Sequence, residues 1–110
     1  MEDRRQHSRR STELQLEVFE LHTGQRLGRV ADLSADGFML FSDKPHRADS
    51  LVECRLVSEE VIEGVGEIQL NVDCLWSRPG ADGQHCWAGF HIIELEPDQS
   101  AALAVLLKHL

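Results

Sequence analysis

Apolar and polar residues alternate along most of this chain, which is the pattern of half-buried β-strands. In residues 67–77 the alternation is almost unbroken, with Leu75 as the exception, and the apolar face consists of Ile68, Leu70, Val72, Cys74 and Trp76. Shorter alternating segments are found at residues 12–21 and 51–57, and residues 26–32 would return as the second strand of a hairpin. Apolar runs at residues 37–41 and 85–95 predict two further strands. The spacing predicts an antiparallel all-β protein, either a barrel or a sandwich.

The first two strands are expected to form a hairpin. Within residues 12–21 the apolar face shifts at Phe19 and Leu21, which predicts a β-bulge. The tetrapeptide HTGQ at residues 22–25 is typical of a hairpin turn, in which Gly24 takes a positive φ. Residues 85–95 are apolar on both faces, so this strand should be central or covered by another element.

The end of the chain changes from a period of two to the spacing of a helix. Apolar residues recur there at positions i, i+3, i+4 and i+7, as Leu103, Leu106, Leu107 and Leu110. Pro97 suits the first turn of such a helix. We therefore predict one helix over about 97–109.

Length and composition indicate one cytoplasmic domain without a metal or an enzyme site. The 110 residues suffice for a single core, and no apolar run approaches the ~20 residues of a membrane-spanning helix. The charged N-terminus lacks the apolar stretch of a secretory signal. Cys54, Cys74 and Cys86 are expected to be free thiols, and no closely spaced ligand pair predicts a metal. We find no activated nucleophile, paired catalytic carboxylates or phosphate loop, so we expect neither catalysis nor a cofactor.

Charge is distributed unevenly along the chain. The net charge of −8 argues against DNA or RNA as a partner. Four of the eleven basic residues, however, lie within residues 4–10, at Arg4, Arg5, Arg9 and Arg10. We call residues 1–11 the arginine arm and expect a barrel domain over residues 12–110. Charge alone leaves two interpretations of the arm, a solvated tail or a segment that recognises a small anion.

Two motifs flank the first hairpin. Residues 5–9 form an RxxxR sequence, and residues 32–37, DLSADG, form a DxSxxG sequence that we call the DLSADG turn. The pair, at this separation and among these strands, resembles the PilZ domain family of bacterial cyclic di-GMP receptors. The resemblance implies a six-stranded antiparallel β-barrel with a C-terminal helix, and covers nearly the whole chain.

The chemistry of these residues agrees with what the resemblance implies. The guanidinium groups of Arg5 and Arg9 can bind a phosphate, or O6 and N7 of guanine, in bidentate fashion. Asp32 can accept hydrogen bonds from guanine N1–H and N2–H, and Ser34 can donate or accept. Gly37 would let the chain turn tightly and approach the ligand. Taken alone, however, Asp32 and Ser34 are ordinary turn formers, and we interpret Asp36 as a solvated turn residue.

Five further residues bear on the expected site and its stoichiometry. Arg4 extends the cluster of the RxxxR motif and would favour an intercalated cyclic di-GMP dimer, while Arg10 adds long-range attraction. The parity of Trp76 favours a core position, although its indole could instead stack on guanine, and Trp87 is also expected in the core. Gly89 could let another backbone or the ligand come close.

The resemblance also implies how such a protein works. We expect a monomeric receptor that changes conformation on binding and signals to an unidentified downstream protein in motility, biofilm or exopolysaccharide control. The alternative is a PilZ-like adaptor that acts by protein contact without the nucleotide.

Overall fold

The computed structural model describes residues 15–109, which form six strands followed by one helix. The elements are β1 (Leu16–Glu20), β2 (Arg26–Leu33), β3 (Gly37–Ser42), β4 (Ser50–Ile62), β5 (Val65–Pro79), β6 (Cys86–Glu94) and α1 (Pro97–Lys108). The strand and helix predictions are confirmed, although β4 and β5 are longer than their alternating segments. Leu110 and the arginine arm lie outside the described residues.

The strands close into an antiparallel barrel in the order β1-β2-β3-β6-β5-β4, with β1 pairing with β4. This closure decides for the barrel over the sandwich. The predicted bulge is present, since the register of β1 against β2 shifts between Val18 and Phe19. The HTGQ turn is confirmed as well, and Gly24 has a φ of 76°.

The barrel interior holds a single apolar core. Its fully buried side chains include residues from four strands and from α1, namely Leu16, Val18, Leu40, Leu56, Ile68, Val72 and Leu106. Leu103 and Leu106 are the buried part of the predicted helix stripe, and Leu107 is partly buried. Cys54 and Cys74 are free thiols within this core, and burial raises the pKa of Cys54 to about 12.

Side-chain contacts at two places attach the helical segment to the long β4–β5 hairpin. The carboxylate of Glu63, at the hairpin tip, lies 2.8 Å from Nε2 of His109 and 3.6 Å from Nζ of Lys108. At the start of the helix, Oε1 of Gln99 accepts a hydrogen bond from the backbone N–H of Gln69 at 2.7 Å. Asn71 of β5 pairs with Glu94, which is the last residue of β6. Gln69 precedes Asn71, so its N–H belongs to the part of β5 that extends beyond β6.

The core positions expected for Trp76 and Trp87 are wrong. The register of β5 against β6 shifts between Cys74 and Trp76, so one residue is added and Trp76 turns to the outer face, where it is only partly buried. Trp87 lies on the outer face of β6 and packs against Phe41, with ring centroids 4.8 Å apart. As predicted, β6 is central, between β3 and β5. Its outward-facing apolar residues include Trp87, which packs against Phe41.

Candidate ligand-binding site

The DLSADG turn joins β2 to β3 and is shaped by Ser34. The backbone N–H of Ser34 donates to the carbonyl oxygen of Gly37 at 2.9 Å, and its hydroxyl donates to the same oxygen at 3.3 Å. The hydroxyl also accepts the backbone N–H of Asp36 at 3.3 Å. Ser34 therefore stabilises the turn through hydrogen bonds to the backbone, as serine commonly does. The turn follows Asp32 near the end of β2.

Gly37 is required for a reason that the sequence did not reveal. Its φ is not positive, so the turn does not depend on the conformational freedom of glycine. Gly37 instead pairs with His91, and a Cβ placed on Gly37 would lie 2.1 Å from the carbonyl oxygen of Phe90. The expected reason, a tight turn, is corrected to close contact between the backbones of β3 and β6.

A shallow depression of about 310 Å3 lies on the outer face of the barrel beside this turn. We call it the turn pocket, and its lining includes Asp32, Ser34, Gly37, Met39, Trp76 and His91. The structure therefore brings four of the predicted site residues, Asp32, Ser34, Gly37 and Trp76, to one surface. Asp32 and His91 are exposed there. Met39 and His91 were not anticipated, because nothing in a single strand sequence shows which outer face adjoins a turn.

Trp76 is held between a glycine and an arginine. Its indole lies over Gly89, where an added Cβ would be 2.3 Å from Nε1 of the ring. The guanidinium carbon of Arg78 lies 4.6 Å from the ring centroid. The close approach suspected at Gly89 is thus made by a side chain of this domain. Arg78 was missed, although a Trp-x-Arg sequence on a strand places both side chains on one face.

A second depression, of about 460 Å3, adjoins the turn pocket. Met39 lines both, and the second is also lined by Gln15, Arg29, Ala31 and Trp87. We call it the strand pocket. Gln15 is the first described residue, so the described part of the chain begins beside this pocket. The predicted contacts of Arg4, Arg5, Arg9 and Arg10 lie outside the described residues.

Comparison with known proteins assigns the family. The model of the PilZ domain matches residues 3–109, which include both the RxxxR motif and the DLSADG turn. The chain belongs to the PilZ domain family. A search of curated protein sequences finds no significant match.

Solved structures share the fold of this PilZ domain at low sequence identity. MrkH of K. pneumonia in complex with c-di-GMP superposes with a TM-score of 0.69 at 17% identity, over 87% of this chain and 46% of MrkH. MotI of Bacillus subtilis, an inhibitor of motility, gives 0.65 at 13% identity, over 86% and 45% of the two chains. The PilZ domain of YcgR from Escherichia coli with c-di-GMP gives 0.59 at 12%, over 88% and 81%. The chain spans about half the length of MrkH and MotI.

Within residues 15–109, no group of three His, Cys, Asp or Glu side chains is arranged to hold a metal ion. No helix in the same range is long and apolar enough to cross a membrane.

Proposed function

We propose that this PilZ domain is a cytoplasmic receptor for cyclic di-GMP that has a binding role and no catalytic one. The ligand would lie on the outer face of the barrel, between the arginine arm and the DLSADG turn. Two solved structures of the same fold, those of MrkH and of the PilZ domain of YcgR, contain c-di-GMP, which supports this choice of nucleotide.

The position of Gln15 is the observation that carries the proposal. Gln15 lines the strand pocket together with Ala31, which immediately precedes Asp32, and with Met39, which also lines the turn pocket. Gln15 follows Arg9 by six positions, which span at most about 22 Å when the chain is extended. The barrel measures 34 by 34 by 21 Å. The arginines of the RxxxR motif can therefore reach a ligand that also contacts Asp32.

The groups around the turn pocket complement one nucleotide. Arg5 and Arg9 would bind phosphate or the O6 and N7 acceptors of guanine, and Asp32 would accept from the opposite edge of the base. Arg78 stacks on Trp76, so a guanine could rest on the guanidinium plane of this pair. Ser34 would act chiefly by shaping the turn, and Gly37 by allowing the close pairing of β3 with β6.

Binding of the nucleotide would draw the arginine arm onto the barrel. The contacts of Arg5 and Arg9 would then cover part of the turn pocket and create a surface that the ligand-free protein lacks, and a downstream protein could recognise that surface. We expect amide exchange in residues 1–11 to slow when ligand is added. Equal protection in both states would contradict the conformational change and leave binding itself unaffected.

Isothermal titration calorimetry with cyclic di-GMP tests the receptor function, using two variants of one turn. Asp32→Ala removes the proposed acceptor for guanine, so the nucleotide should bind much more weakly. Asp36→Ala changes the charge of the same turn by the same amount, at a carboxylate that also lines the turn pocket, and should weaken binding far less than Asp32→Ala. No detectable heat with the wild type would refute the proposal and favour the adaptor that acts without nucleotide. An equal loss of affinity in both variants would mean that Asp32 contributes only its negative charge and not a specific hydrogen bond to guanine.

A further inference from the structure

A second surface of the barrel combines exposed aliphatic side chains with negative charge. It lies where β4, β5 and the end of β6 meet, in a groove of about 670 Å3 whose lining includes Glu20, Leu51, Glu53, Ile93 and Glu94. Leu51 is 76% exposed and Ile93 is 49% exposed. A single exposed leucine is common, but two large aliphatic side chains at one concave, charged place are the features of a docking site.

The negative charge continues beyond this groove. A neighbouring depression of about 370 Å3 shares Glu53 and Glu94 with it and adds Glu96 and Asp98 from the start of α1. We call the two depressions together the acidic groove. Among the described residues that line it there is no lysine or arginine. The field inside the groove is therefore of one sign, which attracts a cationic partner.

Two of the carboxylates that line the acidic groove already form hydrogen bonds within the domain. The carboxylate of Glu20 accepts the backbone N–H groups of His22 and Thr23 at 2.8 and 2.6 Å, and these bonds hold its pKa below the ordinary value. Nε2 of His22 pairs with the carboxylate of Glu53. This imidazole can offset one charge at most, so the acidic character survives in either state of His22.

We propose that the acidic groove is the docking site for a partner segment in which basic residues flank aliphatic ones. The carboxylates would bind the cations, and Leu51 and Ile93 would pack against the aliphatic side chains. A basic segment without apolar residues would leave Leu51 and Ile93 in water. An apolar segment without cations would leave five carboxylates partly desolvated and unpaired, which is costly.

Two occupants from this protein itself fit less well. The arginine arm has the charge, but Met1 is the only aliphatic or aromatic side chain in residues 1–11, so the arm cannot cover both Leu51 and Ile93. A second copy would bring a barrel of the same sign, because residues 11–110 contain seventeen acidic and seven basic side chains. A different protein chain is therefore the better occupant.

The test uses the full chain without nucleotide, so its outcome is independent of the receptor function. The probe is a fluorescein-labelled ten-residue peptide of alternating arginine and leucine, followed by fluorescence anisotropy. Its control is the arginine–serine peptide of equal charge. We expect the arginine–leucine peptide to bind at least about tenfold more tightly, since only that peptide buries apolar surface against Leu51 and Ile93. Equal binding of both peptides would overturn the proposal.

Matched variants locate the site on the barrel. Leu51→Thr with Ile93→Thr, and separately Glu53→Gln with Glu94→Gln, should each weaken the arginine–leucine peptide about tenfold. The controls are Val61→Thr, at a valine that is 71% exposed, and Glu59→Gln with Glu60→Gln, at two exposed glutamates. These should change binding less than twofold, and thermal unfolding checks that all variants fold. Equal losses in the control variants would mean non-specific attraction to an acidic protein and would overturn the proposal.

Two further measurements distinguish the remaining occupants. If replacing Arg4, Arg5, Arg9 and Arg10 by serine shifts the amide resonances of Leu51 and Ile93 without any peptide, the arm fills the groove and the proposal is wrong. If sedimentation shows a wild-type dimer that Leu51→Thr dissociates, a second copy fills it, and the proposal is again wrong. Unchanged resonances together with a wild-type monomer support a separate partner chain.

Discussion

The carbonyl oxygen of Asp36 accepts a hydrogen bond from the backbone N–H of Ile92, with 2.7 Å between the two atoms. This bond fastens the DLSADG turn to β6 at the residue that precedes Ile93 of the acidic groove. The proposed ligand surface and the proposed docking surface are thus anchored to neighbouring residues of one strand. The turn pocket is therefore supported by the rigid barrel, and its shape depends on the contact of the turn with β6.

Substitution of Gly37 tests that dependence. In Gly37→Ala the new Cβ would lie 2.1 Å from the carbonyl oxygen of Phe90, so β3 and β6 must separate locally. We expect the free energy of unfolding to fall by about 1–3 kcal/mol, as for other overpacked sites, and ligand affinity to fall with it. Urea unfolding measures the change. Gly66→Ala, whose Cβ would meet only Val61 at 3.4 Å, is the control and should be nearly neutral. Equal stability of the two variants would contradict the interpretation of Gly37.

The packing of Trp76 on Gly89 gives a second prediction. A Cβ at residue 89 would lie 2.3 Å from Nε1 of the indole, and this surface side chain can move away. Gly89→Ala should therefore displace Trp76 and disturb its stack with Arg78, while the barrel stays folded. In a double-mutant cycle, Gly89→Ala should cost less stability in a Trp76→Ala background than in the wild type. Equal costs in both backgrounds would show that the two residues are not coupled.

The arginine arm should affect binding and not folding. Arg5→Ala or Arg9→Ala removes a charge-assisted hydrogen-bonding group worth about 1.5–3 kcal/mol, so affinity for cyclic di-GMP should fall roughly 10- to 150-fold or become undetectable. The unfolding temperature should not change. Calorimetry and thermal unfolding check the two statements. Arg47→Ala, in the exposed loop between β3 and β4, is the matched control and should bind like the wild type. If Arg5→Ala or Arg9→Ala lowers the unfolding temperature, the prediction that the arm lies outside the core is contradicted.

Stoichiometry tests the role of Arg4. An intercalated cyclic di-GMP dimer brings about twice the negative charge of one nucleotide, and Arg4 extends the cation cluster that would neutralise it. We propose that the second molecule would lie beside the turn pocket, over the strand pocket whose lining includes Arg29 and Trp87. Calorimetry should give about two nucleotides per chain for the wild type and about one for Arg4→Ala. A wild-type ratio of one would refute the dimer and leave the receptor function standing.

The turn between β5 and β6 gives a prediction for pH. The hydrogen bond from His85 at 2.6 Å, together with the backbone N–H groups of Gln84 and His85, lowers the pKa of Asp82 from 3.8 to about 2. A lowered pKa means that ionised Asp82 stabilises the fold above pH 3.8, and that this contribution is lost as the pH falls towards about 2. Asp82→Asn should flatten the fall in stability within this window. Urea unfolding between pH 5 and 2 measures this fall in stability, and Glu59→Gln is the control for loss of a charge. If the stability of both variants depends on pH in the same way, the prediction is contradicted.

The sequence predicted the fold well because one face of each strand is buried. Alternation and short apolar runs located all six strands, and the bulge near Phe19 appears in the sequence as a change of face. The same method failed at Trp76. The alternation of apolar and polar residues assigns Trp76 to the same face as Cys74, but the bulge between them turns Trp76 to the opposite face. Such a bulge is set by pairing with β6, and a single segment contains no information about its partner.

The candidate site was predicted only in part for the same reason. Motifs identified Asp32, Ser34 and Gly37, since these residues are close in sequence, and the structure places them in one pocket. The function of Gly37 depends on Phe90, and the stack of Trp76 depends on Gly89. Both contacts join segments that are distant in the chain. The acidic groove also combines β1, β4, β5 and β6, so no local pattern could indicate it.

The hydrogen bond between Gln69 and Gln99 has a consequence for aggregation. Where β6 ends, β5 continues, and its free N–H groups could template the addition of a strand from another molecule. The side chain of Gln99 occupies one of these groups, and α1 packs beside this part of β5. In the described barrel each strand also pairs with two neighbours. The helix therefore covers this part of β5 and protects it against edge-to-edge assembly.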